Sequence, residues 1–296
     1  MKVFAGIEGG GTKFNCLFGS SPQDIKKEIV IPTTSPKETL QKVIDFIKKE
    51  TQSYDLAAIG VGCFGPLDLN PASGTYGYIT STPKEGWQDT NIVGLLKEEF
   101  KVPISFDTDV NAALMGEKQW GAGQNLDDIV FLTVGTGIGG GAMSNSKLIH
   151  GMLHTEMGHI KVPIHKDDSF EGCCPFHKNC LEGMASGTAI EERWKIKATE
   201  IPPDHPAYEL EAYYLACGLV NIVCLLSPQR IIMGGGVAKT EGLLEKVRSK
   251  TKELLNGYIK TKEIIENLDN YIIHPALGDR AGSLGSLALG FRQTNN

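Results

Sequence analysis

Two short glycine-rich turns, each lying between two apolar runs, constrain this chain more than any other feature. The first is Glu8-Gly9-Gly10-Gly11-Thr12-Lys13, set between Lys2–Ile7 and Phe14–Phe18. The second is Gly135-Thr136-Gly137, set between Ile129–Val134 and Ile138–Met143. Glycines between two apolar, β-prone runs read as strand–turn–strand hairpins. The two hairpins lie about 125 residues apart, which suggests two related halves facing one another. Each turn is also a candidate phosphate nest, because glycine lets backbone N–H groups approach an anion closely. Thr12 adds a hydroxyl and Lys13 a positive charge to the first; Thr133 and Thr136 add hydroxyls to the second. A third group, Gly234-Gly235-Gly236, follows the strand-like run Arg230–Met233 and is expected to open a helix. The positive end of that helix would favour an anion or a nucleotide edge. None of the three is a G-x-x-x-x-G-K-[ST] loop, and none is a clean G-x-G-x-x-G dinucleotide turn.

Between these turns the pattern alternates. Leu40, Val43, Ile44 and Ile47 fall on one face of a helix predicted over Pro36–Glu50, with Ser35 as N-cap and Pro36 at its first position. A buried strand over Leu56–Val61 ends in Gly62-Cys63-Phe64-Gly65-Pro66, and Asp68–Gln88 reads as a loop. Helices are predicted over Asn91–Phe100 and from Asn111, with a short strand Ile104–Asp107 between them. Glu209–Leu226 reads as a long apolar helix whose Cys217 and Cys224 share a face as core thiols. Tyr271–His274 is the last strand and Ala281–Leu289 a closing helix. Strands alternating with helices indicate an α/β fold.

Charge and cysteine usage exclude several classes. The net charge is −6 and no Lys/Arg run stands out, so the basic footprint of a nucleic-acid binder is missing. Mild acidity also argues against docking on an anionic membrane. No 18-residue apolar run and no N-terminal apolar stretch are seen, so neither a membrane span nor a signal peptide is expected. Seven cysteines, three of them within eight residues and the others scattered in apolar segments, suggest a reducing compartment with one metal site.

Two further groups carry chemistry. Asp107-Thr108-Asp109-Val110-Asn111 ends a strand and enters a helix, a sensible place for a carboxylate that takes a proton from a hydroxyl. Asp107 and Asp109 lie one strand alternation apart and compete for that role. His159, Cys174, His177 and Cys180 form a candidate zinc site with all four positions filled. Cys173 competes with Cys174, being seven residues from Cys180.

These residues resemble the ROK family of sugar kinases. The resemblance rests on E-G-G-G-T-K at the start, T-V-G-T-G-I-G-G-G at Thr133–Gly141, E-M-G-H at Glu156–His159 and C-x-x-H-x-x-C-L-E-G at Cys174–Gly183. Within the family, T-Y-G-x-I-T-x-T-P-K-x-G-W at Thr75–Trp87 is similar to the bacterial fructokinases. The resemblance implies a two-lobed, actin-like (ribonuclease H-like) ATPase fold with an interlobe cleft. It implies Mg-ATP as phosphoryl donor, a hexose (best read as D-fructose) as acceptor, a homodimer and a cytoplasmic location.

The resemblance also assigns roles. Asp109 becomes the general base. Asn111, Glu156, His159, Glu182, Gly65 and Pro66 hold the sugar. Glu8, Gly10, Gly11, Thr12, Lys13, Thr133, Gly135, Thr136, Gly137, Thr188, Gly234, Gly235, Gly236, Val237 and Ala238 hold the nucleotide and its Mg²⁺. Glu8 stands where the wider family prefers Asp, and its task is to orient water on Mg²⁺. His159, Cys174, His177 and Cys180 bind a structural Zn²⁺ that pins the loop carrying Glu156 and Glu182, while His150, His154 and His165 receive no role. The expected division is an N-terminal lobe over 1–115, a C-terminal lobe over 116–280 and a helix within 281–296 packing back on the first lobe. The hairpin begins at residue 7, leaving no room ahead of it for a helix-turn-helix module, which favours the enzyme branch over the family's repressors. Glucokinases, mannokinases and N-acetylhexosamine kinases are the nearest alternatives. A non-catalytic sugar-binding regulator and a Rossmann-type oxidoreductase follow.

Overall fold

The computed structural model describes residues 2–202 and 204–294. The last two residues of the 281–296 segment lie outside the described residues. The chain divides into two compact units, one of Met1–Asn125, His150–His154 and Ala276–Asn296, the other of Leu126–Ile149 and Thr155–Pro275.

In the first unit the strands β1 (Lys2–Gly9), β2 (Lys13–Gly19) and β3 (Ile25–Pro32) form an antiparallel meander. The helix α1 (Pro36–Glu50) then leads to β4 (Asp55–Cys63), which pairs parallel with β1. The helix α2 (Ile92–Glu99) leads to β5 (Ile104–Thr108), parallel with β4, and α3 (Asp109–Trp120) follows directly. The sheet order is β3-β2-β1-β4-β5. β1 is buried along almost its whole length, as a central strand covered on both faces must be.

α1 matches its sequence reading end to end. Ser35 accepts from Glu38 N–H, Pro36 opens the helix, and Leu40, Val43, Ile44 and Ile47 are buried. Burying each such side chain contributes about 1.5–3 kcal/mol. β3 was not predicted, because Lys26, Lys27 and Glu28 break its apolar run. It survives as an edge strand whose Val30 is exposed while Ile31 is buried. The loop Asp68–Gln88 is better ordered than its composition suggests. Tyr78–Ile79 pairs with Thr90–Asn91, and Trp87 is fully buried, stacked on Phe14 at 5.3 Å, with its indole N–H donating to Thr34 O at 2.8 Å.

The second unit repeats the plan. β6 (Ile129–Val134), β7 (Ile138–Ser144) and β8 (Lys147–Leu148) form the meander; β9 (Arg230–Gly234) and β10 (Ile272–Ile273) add on parallel. The order β8-β7-β6-β9-β10 is that of the first sheet. The main helices are α4 (Leu181–Ala185), α5 (Gly187–Trp194), α6 (Ala207–Leu226) and α7 (Leu243–Leu255), with two single turns at Lys262–Ile265 and Leu268–Tyr271.

Three expectations are corrected here. α7 begins at Leu243, not at Gly236, so no long helix points its dipole from the third glycine group. Cys217 is buried but Cys224 is exposed, lying with exposed Leu225 on the outer face of a last turn whose Val223 and Leu226 pack on the core. α6 is also long and apolar enough to cross a membrane by length and composition, against the expectation of no such run. It owes that composition to burial within the unit, where Tyr208, Tyr214, Leu215 and Leu219 belong to the core.

The last helix, α8 (Ala281–Arg292), belongs to the first unit and packs on β1, β4 and α3. Small residues let it sit close. A β-carbon on Gly6 would overlap Leu287, and one on Gly60 would overlap the Ser286 carbonyl.

Candidate active site

Parallel pairing sets the carboxyl ends of β1, β4 and β5 side by side, with Gly9 opposite Cys63 and Cys63 opposite Thr108. Ligands of parallel α/β sheets bind at such ends. Glu8, the Gly65–Pro66 segment and Asp107–Asn111 are therefore gathered there. Glu8 accepts from Asn15 Nδ2 at 2.7 Å, and Gly282 of α8 lies so close that a β-carbon would overlap the carboxylate. Burial, then the negative charge of Asp109, raises the Glu8 carboxyl above its ordinary range, against the Asn15 hydrogen bond and the Lys13 charge. Asp109 is half-buried in the first turn of α3, one oxygen accepting from Val110 N–H at 2.9 Å. The turn Gly10–Lys13 closes with Gly10 N–H donating to Lys13 O, and Gly11, Thr12 and Lys13 are exposed at its tip.

Asp107 and Asn111 are 5% and 1% exposed. Asn111 Nδ2 donates to Asp107 Oδ1 at 2.7 Å, and His150 Nε2 lies 2.9 Å from Asp107 Oδ2. His154 Nε2 accepts from Leu67 N–H at 3.2 Å, and Thr80 donates from both its N–H and its hydroxyl to Pro66 O. The sequence reading missed both histidines, since neither has a partner nearby in sequence. It also missed the way the Thr75–Trp87 stretch secures the Gly65–Pro66 segment.

In the second unit the predicted residues converge on the turn after β6. Gly135 N–H donates to Gly137 O; Gly187 N–H donates to Gly135 O at 2.7 Å; Thr188 Oγ1 donates to Thr136 O at 2.9 Å. Val237 N–H donates to Val134 O at 3.0 Å, made possible by Gly235 at φ +94°. Thr133 pairs with Gly234 across the sheet, which brings Gly234–Ala238 to the same place. Glu182 reaches this turn as well: its Oε2 accepts from Ile138 N–H at 2.9 Å. Glu156 is exposed, just before the short helical turn Met157–His159. Gly140 and Gly158 have no room for a side chain, so the glycine run of β7 is where that turn packs.

His159, Cys174, His177 and Cys180 come together in the second unit, with ligand atoms all within 4.8 Å of one another. Cys173 is not among them. Zn–S and Zn–N bonds of about 2.3 and 2.0 Å in a tetrahedron put sulfur and nitrogen about 3.6 Å apart. His159 Nδ1 lies 3.6 Å from Cys180 Sγ and 3.9 Å from Cys174 Sγ, and His177 Nδ1 lies 3.7 Å from Cys174 Sγ. Donor set and spacing fit a zinc ion.

A profile of the ROK family matches residues 4–293. The chain belongs to the ROK family. Among its relatives, a fructokinase from Zymomonas mobilis is 44% identical over 99% of this chain and 98% of its own length. The ROK hexokinase from Thermus thermophilus superposes with a TM-score of 0.82 at 25% identity, covering 99% of each chain. A ROK glucokinase from Streptomyces griseus, solved with glucose and AMPPNP, gives 0.74 at 23% identity over 98% of this chain and 99% of its own. The repeated five-stranded sheets are those of the actin-like ATPase fold that ROK proteins share.

Proposed function

We propose that this chain is a fructokinase, transferring the γ-phosphoryl group of ATP to the 6-hydroxyl of D-fructose, with Asp109 as general base. The observation that carries the reading is the grouping of Asp109, Glu8, Asn111 and a glycine turn at the carboxyl ends of β1, β4 and β5. A sugar hydroxyl is too weak an acid to attack unaided. A fixed carboxylate accepts its proton as the bond to phosphorus forms.

The glycine turns at Gly10–Lys13 and Gly135–Gly137 are the phosphate cradles, and Thr188 with Gly234–Ala238 holds the rest of the nucleotide. Mg²⁺ supplies charge neutralisation on the phosphates when bound. Glu8 fits a hard cation and its water, since burial and the Asp109 charge raise the cost of ionising this carboxyl and a cation would offset both. Asn111, Glu156 and the Gly65–Pro66 segment hold the sugar. Glu182 also holds the sugar in this reading, while its Oε2 accepts from Ile138 N–H beside the second phosphate turn. A zinc ion on His159, Cys174, His177 and Cys180 acts in folding, fixing the segments that follow Glu156 and precede Glu182. Seven free thiols fit a reducing cytoplasm, and a homodimer belongs to the same proposal.

Asp109→Asn is expected to cut kcat about 10²–10⁴-fold while ATP still binds, read by a coupled ADP assay and calorimetric titration. Parent-like kcat would remove Asp109 from the role. The same assay with fructose, mannose, glucose and N-acetylhexosamines tests the substrate. Phosphorylation led by another hexose would keep the kinase and discard the fructose reading.

A further inference from the structure

Asn111 is nearly inaccessible, yet its Oδ1 has no hydrogen-bond partner. Its Nδ2 is committed to Asp107. A carboxylate only accepts. Asp107 Oδ1 already receives Thr108 N–H at 2.8 Å and Asn111 Nδ2, while Oδ2 faces His150 Nε2. These three partners are all donors, so Asn111 turns its NH₂ towards Asp107 and its oxygen away. His150 Nε2 also stands 3.5 Å from Asn111 Nδ2. Placed there as a donor to Asp107, it would repel the NH₂ were that group to swing towards it, which keeps the amide hydrogens on Asp107.

We infer that Asp107 and His150 are positioning residues, which lock the Asn111 carboxamide so that Oδ1 is presented as an acceptor to a hydroxyl of the sugar. The device selects a ligand that donates at that point, namely a polyol carrying a free hydroxyl. The inference rests on the sugar-binding reading of Asn111 given above. His150 enters the first unit only because the chain makes a five-residue excursion, His150–His154, out of a run that otherwise builds the second unit. A ring brought from so far along the chain has to be placed by the fold, and Asp107 is what receives it.

The test is steady-state kinetics of the full chain with fructose and Mg-ATP, each varied. Replacing His150 by Leu frees one Asp107 oxygen and loosens the amide. KM for fructose should rise about five- to tenfold, the scale of one misdirected hydrogen bond, with kcat and KM for ATP within about twofold. His150→Gln, which can still donate to Asp107, should restore most of the affinity. Asp107→Asn puts an NH₂ against one of the donors and should raise KM for fructose further, its melting temperature checking that the fold is kept. Unchanged KM for fructose in His150→Leu would overturn the inference. So would a parallel loss of kcat and of affinity for both substrates, or no rescue by Gln. A parent enzyme that does not phosphorylate fructose would instead defeat the functional reading on which the inference rests.

Discussion

At the scale of single residues, the site is built from groups held in uncomfortable states. Glu8 is the clearest. Its carboxyl ionises at higher pH in the folded chain than in the unfolded one, because of burial and then the Asp109 charge. The folded state is therefore favoured in acid and loses that margin as pH rises through the raised value. A glutamine at this position has nothing to lose. Glu8→Gln is expected to melt above the parent near neutral pH, the gap closing below the ordinary carboxylate range, while turnover falls. A calorimetric series in pH checks this; a gap independent of pH would contradict it. Glu211 shows the same stress in the core, with both carboxylate oxygens unpartnered and its carboxyl held far above the usual range by burial. Legibility was uneven at this scale. Asp109 and the His/Cys group stand in short motifs that mark them as candidates, but spacing left Asp107 competing with Asp109 and Cys173 with Cys174. Choosing Cys174 over Cys173 required the fold, as did finding His150, whose partner Asp107 lies 43 residues earlier.

At the scale of elements, the regular pieces were readable wherever local chemistry and burial agreed. α1 has its cap, its proline and its apolar stripe in one stretch. β3 was hidden because an edge strand exposes one face and tolerates charge there. The third glycine group was placed correctly at the end of β9 but misread as a helix start. Its physical requirement is the backbone of Gly235, at φ +94° with a β-carbon position that would overlap Val134. Gly235→Ala should therefore cost about 1–3 kcal/mol of stability and weaken ATP more than fructose. Denaturant midpoints and the two KM values would show it. If KM for fructose moved as much as that for ATP, the segment would not belong to the nucleotide. Trp87 carries a separate expectation. Packed on Phe14 and Phe64 with its indole bonded to Thr34, its replacement by Ala should cost about 3–5 kcal/mol.

At the scale of the whole molecule, the two glycine hairpins were enough to suggest two related halves, while the repeated five-strand order needed the structure, because β3 could not be read from its charged sequence. The interleaving of the two units along the chain needed it too, because it depends on which distant segment covers which sheet. Chelation of the metal from purified protein should lower the melting temperature, and rebinding should release protons as the thiols ionise. Elemental analysis showing no zinc would end that account. The placement of α8 has a consequence for how the molecule is made. Phe4 on β1 and Ala58 on β4 are covered by Leu287, so these early strands wait for a helix made far later in the chain. Until that helix is made, the first unit holds an uncovered apolar sheet, and it becomes a finished domain only when α8 docks.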